Sequence, residues 1–315
     1  MSFDREALAR AVAAHGSVVR IVVAGASGST PRETGASMLV WESGQDGTIG
    51  GGTLEWEATD RARRMLAEGA APRVVKVPLG PALGQCCGGA VTIVLERFDR
   101  TALAALPDAP VIARPVGDPA EMPLSVRRLV QRAREGLAPS PQLVEGWMVE
   151  PASAPSRTLW IWGAGHVGRA LVSVLARLPD FAITWVDTSA DRFPPVIPER
   201  VEQIVAAEPG RLVAHAPRDA EHLVLTFSHA LDLDLCHRLL THGFARLGLI
   251  GSATKWARFR SRLATLGHGA ADIGRIDCPI GDPSLGKHPQ AIAVGVAAAL
   301  LKAQGAARTK KERAG

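Results

Sequence analysis

The sequence predicts an α/β protein in which a doubly wound parallel sheet follows a smaller N-terminal α+β domain. Three observations carry this reading. Beyond residue 157, apolar strand-like runs alternate with helical stretches, the rhythm of parallel strands joined by helical crossovers. Before residue 152, strands and helices are broken up by glycine-rich loops and show no such alternation. Between the two lies Pro151-Ala152-Ser153-Ala154-Pro155-Ser156, a linker composition that places the domains at 1–152 and 157–315.

In the first domain, Leu8 and Val12 are spaced for a helix over 5–15, closed by Gly16. Residues 17–23 read as a buried strand and 38–41 as a second. The loop Gly47-Thr48-Ile49-Gly50-Gly51-Gly52 runs into a helix predicted over 53–68, with Thr53 as N-cap, Glu57 and Arg61 four apart and Gly69 as the stop. Strands over 73–77 and 90–96 flank the loop 83–89. From 98 to 146 the pattern weakens among prolines, leaving one helix at 124–135.

In the second domain, strands are predicted at 159–162, 182–186, 223–227 and 246–250, with helices at 167–178 and 231–241. An apolar helix over 290–303 begins at Pro289. Gly163-Ala164-Gly165-His166-Val167-Gly168 sits between the first strand and the first helix. That context makes it a dinucleotide fingerprint. Gly163 would form the tight turn, Gly165 would let backbone approach a pyrophosphate, and Gly168 would let helix pack on strand. The helix N-terminus offers amide donors to phosphate. Asp187, ending the next strand, is placed to accept from a ribose hydroxyl. The second domain is therefore Rossmann-like, a fold that does not by itself make a dehydrogenase.

Composition narrows the partners. The formal net charge of +5 is modest for 315 residues, and there is no Tyr. Neither a basic footprint nor an aromatic platform for nucleic acid is present. No apolar run approaches a membrane span and no signal-peptide core is read at the start. Two of the four cysteines, Cys86 and Cys87, are adjacent, unlike a disulfide framework. A cytoplasmic protein is expected.

Several loops are candidate sites. Gly50, Gly51 and Gly52 with Glu55 form a second possible anion cradle, and Arg32 in the loop 27–32 suits a phosphate. Gln85-Cys86-Cys87-Gly88-Gly89 presents thiols in a glycine-rich loop, suited to a soft metal or to sulfur. Small buried hydrophobes are the competing reading for these cysteines. Adjacent cysteines without matching His spacing are not a structural zinc site. His229 and Asp232 stand at the carboxyl edge of the predicted sheet as a ligand or acid/base pair, or Asp232 serves only its helix dipole. Ser252 and Lys255 bring hydroxyl and amine to the same edge. Arg258, Arg260 and Arg262 read as a solvated helix face.

Taken together these motifs resemble the XdhC family. In the first domain the resemblance rests on Gly28-Ser29-Thr30-Pro31-Arg32, Gly35-Ala36-Ser37-Met38, Gly50-Gly51-Gly52-Thr53-Leu54-Glu55 and Leu83-Gly84-Gln85-Cys86-Cys87-Gly88-Gly89. In the second it rests on Gly163-Ala164-Gly165-His166-Val167, Ser228-His229-Ala230-Leu231-Asp232, Gly251-Ser252-Ala253-Thr254-Lys255 and Arg275-Ile276-Asp277-Cys278-Pro279-Ile280-Gly281. The pattern departs after Gly281, where Asp282-Pro283-Ser284-Leu285-Gly286 and His288-Pro289-Gln290 stand.

The resemblance implies an accessory protein, not an enzyme. It would bind molybdenum cofactor (molybdopterin), support its sulfuration and insert it into apo xanthine dehydrogenase. The implied partners are the molybdenum-binding subunit of that dehydrogenase, a cysteine desulfurase and a second copy in a homodimer. Cys86 or Cys87 would touch molybdenum or sulfur, and the Rossmann site would hold NAD(P) or another nucleotide. Two other functions compete: an NAD(P)-dependent oxidoreductase using His229 as acid/base, and a chaperone for the pterin-dinucleotide cofactor of a related molybdoenzyme.

Overall fold

A computed structural model describes residues 2–79, 88–117, 121–153 and 155–312, with side chains described through 303. The chain divides into two compact units, Met1–Ser153 and Ala154–Gly315.

The first unit opens with α1 (Arg5–His15), whose N-cap Asp4 accepts from the Ala7 amide and whose stop is Gly16. Five strands follow: β1 (Val18–Ser27), β2 (Ser37–Trp41), β3 (Gly44–Gly47), β4 (Arg73–Pro78) and β5 (Ala90–Phe98). They form an antiparallel sheet in the order β3-β2-β1-β5-β4. Helix α2 (Gly52–Glu68) lies across one face. Its buried Leu54, Ala58, Ala62 and Met65 meet Val19, Ile21, Val23, Ile93 and Leu95 of the two central strands. The alternate residues of β1 and β5 face the other way, as the two-residue period of a strand requires.

That second face meets a smaller sheet that the weak pattern of 98–146 concealed. After α3 (Arg100–Ala104) come β6 (Val111–Pro115), α4 (Leu124–Arg134), β7 (Gln142–Val144) and β8 (Trp147–Pro151), with strand order β6-β8-β7. Val22, Ala24 and Val94 pack on Met148. Beside them four charges are buried: Arg20 pairs through two bonds with Glu150, and Arg114 bridges Glu96 and Glu150 at 2.6–2.7 Å. The Phe3 ring lies 4.6 Å from both guanidinium carbons. Burial opposes charge on Glu150, but Arg20 and Arg114 outweigh it and hold the carboxyl below the usual range.

The second unit is one parallel sheet of β9 (Arg157–Trp162), β10 (Phe181–Asp187), β11 (Val201–Val205), β12 (Glu221–Val224), β13 (Arg246–Leu249) and β14 (Ile276–Asp277), ordered β11-β10-β9-β12-β13-β14. The order reverses between β9 and β12, the switch point at which doubly wound sheets bind ligands. Helices α5 (His166–Leu175) and α9 (Pro289–Glu312) cover one face, where Leu159 and Ile161 are buried. On the opposite face Trp160 and Trp162 of β9 are buried with residues of α6 (His229–His242) and α7 (Ala253–Thr265). Covered on both faces, β9 reads as an unbroken apolar run. A short helix, α8 (Ala270–Ile273), precedes β14. Strands β11 and β14, which no predicted strand covers, are short and lie at the two edges of the sheet.

His222 of β12 is fully buried beside Trp162, whose Nε1–H donates to His222 Nδ1 at 3.2 Å. Burial, with a smaller contribution from His242, pushes its pKa down to about 3.

Candidate functional site

In the first unit the loops singled out from sequence come together at one end of the large sheet. A side chain at Gly89 would collide with the carbonyl oxygens of Ser27 and Ser29, and one at Gly50 with the Pro31 ring. The segments around Gly28, Gly50 and Gly89 therefore touch through backbone that only glycine leaves accessible. Arg32 lies there, half-buried, beside Glu33 at 3.4 Å. Gln85, Cys86 and Cys87 lie outside the described residues.

The 50–52 loop already contains an anion. Glu55 accepts from the amides of Ile49 (3.1 Å) and Gly51 (3.0 Å), from Thr48 Oγ1 (2.5 Å) and from Gln45 Nε2 (3.2 Å). Burial raises the Glu55 pKa, and these donors more than reverse that, leaving the carboxyl below its ordinary value. The helix begins at Gly52, one residue before the expected start, and its N-cap is Gly51, two residues before the expected Thr53, without a side-chain cap. Of the cradle's amides, that of Gly51 is thus engaged by the chain's own carboxylate and that of Gly50 by the Thr48 hydroxyl, at 3.1 Å.

In the second unit the glycine loop behaves differently. A Cβ on Gly168 would come within 2.1 Å of the Gly163 carbonyl oxygen, and one on Gly163 within 2.5 Å of the Leu225 carbonyl oxygen, so these two glycines serve packing. A Cβ on Gly165 would meet nothing within 4 Å. Gly165 is the N-cap of α5 and has no side-chain hydrogen bond, while His166 beside it is exposed. Open space in front of an uncapped helix start suits an anionic group. A cleft of about 590 Å³ runs beside it, lined by His166, Arg169, Ser173 and His288 among others.

Asp187 closes β10 as expected, but its carboxylate is turned inward. Oδ2 accepts from the Ala164 amide at 2.5 Å, and Oδ1 accepts from the Thr188 amide at 2.6 Å with Arg192 Nε 2.8 Å away. Asp187 is buried, so it orders the glycine loop. Arg192 also stacks on exposed Phe227, 4.2 Å from the ring centroid. Neither Arg192 nor Phe227 had a sequence signal, because their meeting depends on strand order.

At the carboxyl edge of β12 and β13, Asp232 pairs with Lys255, not with His229. Lys255 Nζ donates to Asp232 Oδ2 at 2.5 Å and to the Ile250 carbonyl at 2.8 Å. Asp232 Oδ1 accepts from the Thr226 amide and hydroxyl at 2.9 and 2.7 Å. The aspartate is completely buried. His229 is exposed and sits edge-on to Phe259. Ser252 caps α7 by accepting from the Lys255 amide. Among the described residues no group of three or more His, Cys, Asp or Glu side chains is arranged to hold a metal ion. Burial raises the thiol pKa of Cys236, and that of Cys278 to about 11, with Lys255 partly opposing it at Cys278.

A crossover sheet with an open glycine turn at its switch point, preceded by an antiparallel α+β unit, defines a two-domain Rossmann-containing protein. Two family models match this chain in order: the XdhC and CoxI family over residues 11–77, and the XdhC Rossmann domain over 159–300. The chain belongs to the XdhC family. Its fold is similar to that of a Bacillus halodurans protein described as a xanthine dehydrogenase, with TM-score 0.69, 19% identity and 95% of each chain covered. It is also 25% identical over 281 residues to the uncharacterized protein YqeB of Escherichia coli (strain K12). That match takes in 87% of this chain but 41% of YqeB, so the chain spans about two fifths of the relative's length. No helix among the described residues is long and apolar enough to cross a membrane.

Proposed function

We propose that the protein is a chaperone for molybdenum cofactor that supports its sulfuration and inserts it into apo xanthine dehydrogenase. The observation that carries this reading is family membership through both halves of the chain, joined to an open, uncapped glycine turn in the second. The cofactor brings a molybdenum centre held by a dithiolene and an anionic phosphate. Residues of this chain fit the phosphate at Gly165 and the start of α5, where the backbone is approachable and the dipole favours negative charge. Arg32 and the backbone around Gly28 are the corresponding groups in the first unit, since the 49 and 51 amides are bonded to Glu55.

Thiol chemistry falls to Cys86 and Cys87 in this reading. Cys236 and Cys278 are held protonated at neutral pH and are poor nucleophiles. The proposed partners are the molybdenum-binding subunit, a cysteine desulfurase and a second copy of this chain. A nucleotide in the glycine cleft, either NAD(P) or the nucleotide half of a pterin dinucleotide, belongs to the same proposal. Asp187 would then orient the loop that receives it.

The test is molybdenum and oxidised-pterin content after anaerobic incubation with cofactor and gel filtration. Near-stoichiometric retention of both is expected. A folded protein retaining neither overturns the reading.

A further inference from the structure

Helix α4 carries four arginines, Arg127, Arg128, Arg132 and Arg134, and no acidic residue. All four are exposed, and none has a side-chain hydrogen bond, ion pair or ring contact among the described residues. Elsewhere arginines are tied down: Arg20, Arg114 and Arg157 each meet carboxylates. On α4 the nearest acid in sequence, Glu135, accepts instead from Gln131. Arg128 and Arg132 are four apart, where like charges repel on a helix. Arg132 and Arg134 gain from the negative end of the helix dipole, but Arg127 lies near the positive end, where a cation is disfavoured. Nothing within the described chain offsets this concentration of charge.

The helix also carries apolar residues. Val126 and Ala133 hold α4 against Val111, Trp147 and Val149 of the small sheet. Outward from that seam, a groove of about 460 Å³ is lined by Met122 and Val130 with Arg127, Arg128 and Arg134. Leu124 at one end of the helix is 62% exposed, and Leu137 just beyond the other is 55% exposed. Arginine and methionine around an apolar floor match the composition of protein–protein interfaces. Both matched family stretches leave α4 outside, so this surface belongs to a part of the chain that those models do not describe.

We propose that the outer face of α4 is a docking surface for an acidic, leucine-bearing segment of another protein. Charge complementarity selects an acidic occupant. A second copy would present the same four cations and be repelled. Single-stranded nucleic acid would find no aromatic side chain lining the groove on which to stack a base.

The test uses the full chain and a fluorescein-labelled helical Glu/Leu peptide, followed by fluorescence anisotropy as salt is raised. Binding is expected at low salt, weakening about tenfold or more in an R127E/R134E variant and a few-fold in Met122→Ser. Thermal unfolding should match the parent, because these side chains are at the surface. Should charge reversal unfold the protein, R127Q/R134Q carries the same test with a loss of about threefold. No peptide binding by the parent, or binding that neither the arginine nor the methionine change weakens, overturns the proposal. A duplex DNA fragment binding as tightly as the peptide overturns it in favour of a nucleic-acid surface.

Discussion

The loops Gly50-Gly51-Gly52 and Gly163-Ala164-Gly165 both run directly into a helix, yet they do opposite things with their backbone. In the first, Glu55 reaches back from the helix and engages the 49 and 51 amides. In the second, the carboxylate that reaches the loop, Asp187, takes the Ala164 amide, leaving space in front of Gly165. Glycine before a helix therefore marks a place where backbone is exposed, and a neighbouring carboxylate decides whether that backbone is available. In one case the carboxylate is four residues along the same chain segment; in the other it arrives from the adjacent strand.

The largest expected effect tests how firmly the open loop's surroundings are built. Lys255→Met leaves Asp232 buried without its cation and should destabilise the second unit by about 3–5 kcal/mol. Chemical unfolding at neutral pH measures it, and a D232N/K255M double variant should recover much of the loss. Next, Gly168→Ala should cost about 3 kcal/mol, because the new methyl meets backbone, whereas Gly165→Ala should leave the unfolding midpoint unchanged and weaken cofactor retention. Equal destabilisation by the two would break the distinction drawn between a packing glycine and a site glycine.

Acid should separate the two units. His222 is held neutral, with its pKa lowered to about 3 from an ordinary 6.5. Its contribution is intact above pH 6.5 and is lost progressively as pH falls toward 3, because only the unfolded chain takes up the proton. By pH 5 the loss is about 2 kcal/mol. His222→Gln should flatten this dependence while lowering stability at neutral pH through Trp162. An unchanged acid profile would remove His222 as its source. The smallest effect is at the closed loop: Glu55→Ala should cost about 1 kcal/mol and open the 49 and 51 amides to anions. Phosphate protection against thermal unfolding, present in the variant and absent in the parent, is the expected readout.

The strong periodic segments were legible because their physics is local. The 5–15 helix, the apolar run at 159–162 and the glycine fingerprint each follow from neighbours a few residues apart. The small sheet of 111–151 escaped because its strands are short and its polar residues, Arg114 and Glu150, are buried. A strand that carries charge inward does not alternate in the expected sense. Its charges make sense only against Arg20 and Glu96 from the other sheet. Asp232 and Lys255 were each read as site residues, but the sequence suggested His229 as the partner of Asp232. A helical spacing of three is visible in a string, whereas a contact across two strand ends is not.

What the sequence determined by itself was the Rossmann half, the family motifs and the glycine positions, since turns, helix caps and buried parallel strands are specified by nearby residues. The tertiary structure alone decided which donors stay open and which charges are matched. Glu55 engages one loop, Asp187 orders the other, Asp232 takes Lys255, and the arginines of α4 have no partner among the described residues. Hydrogen bonds and ion pairs are satisfied by whatever the fold brings within about 3 Å, and that distance is set by packing between elements far apart in the chain.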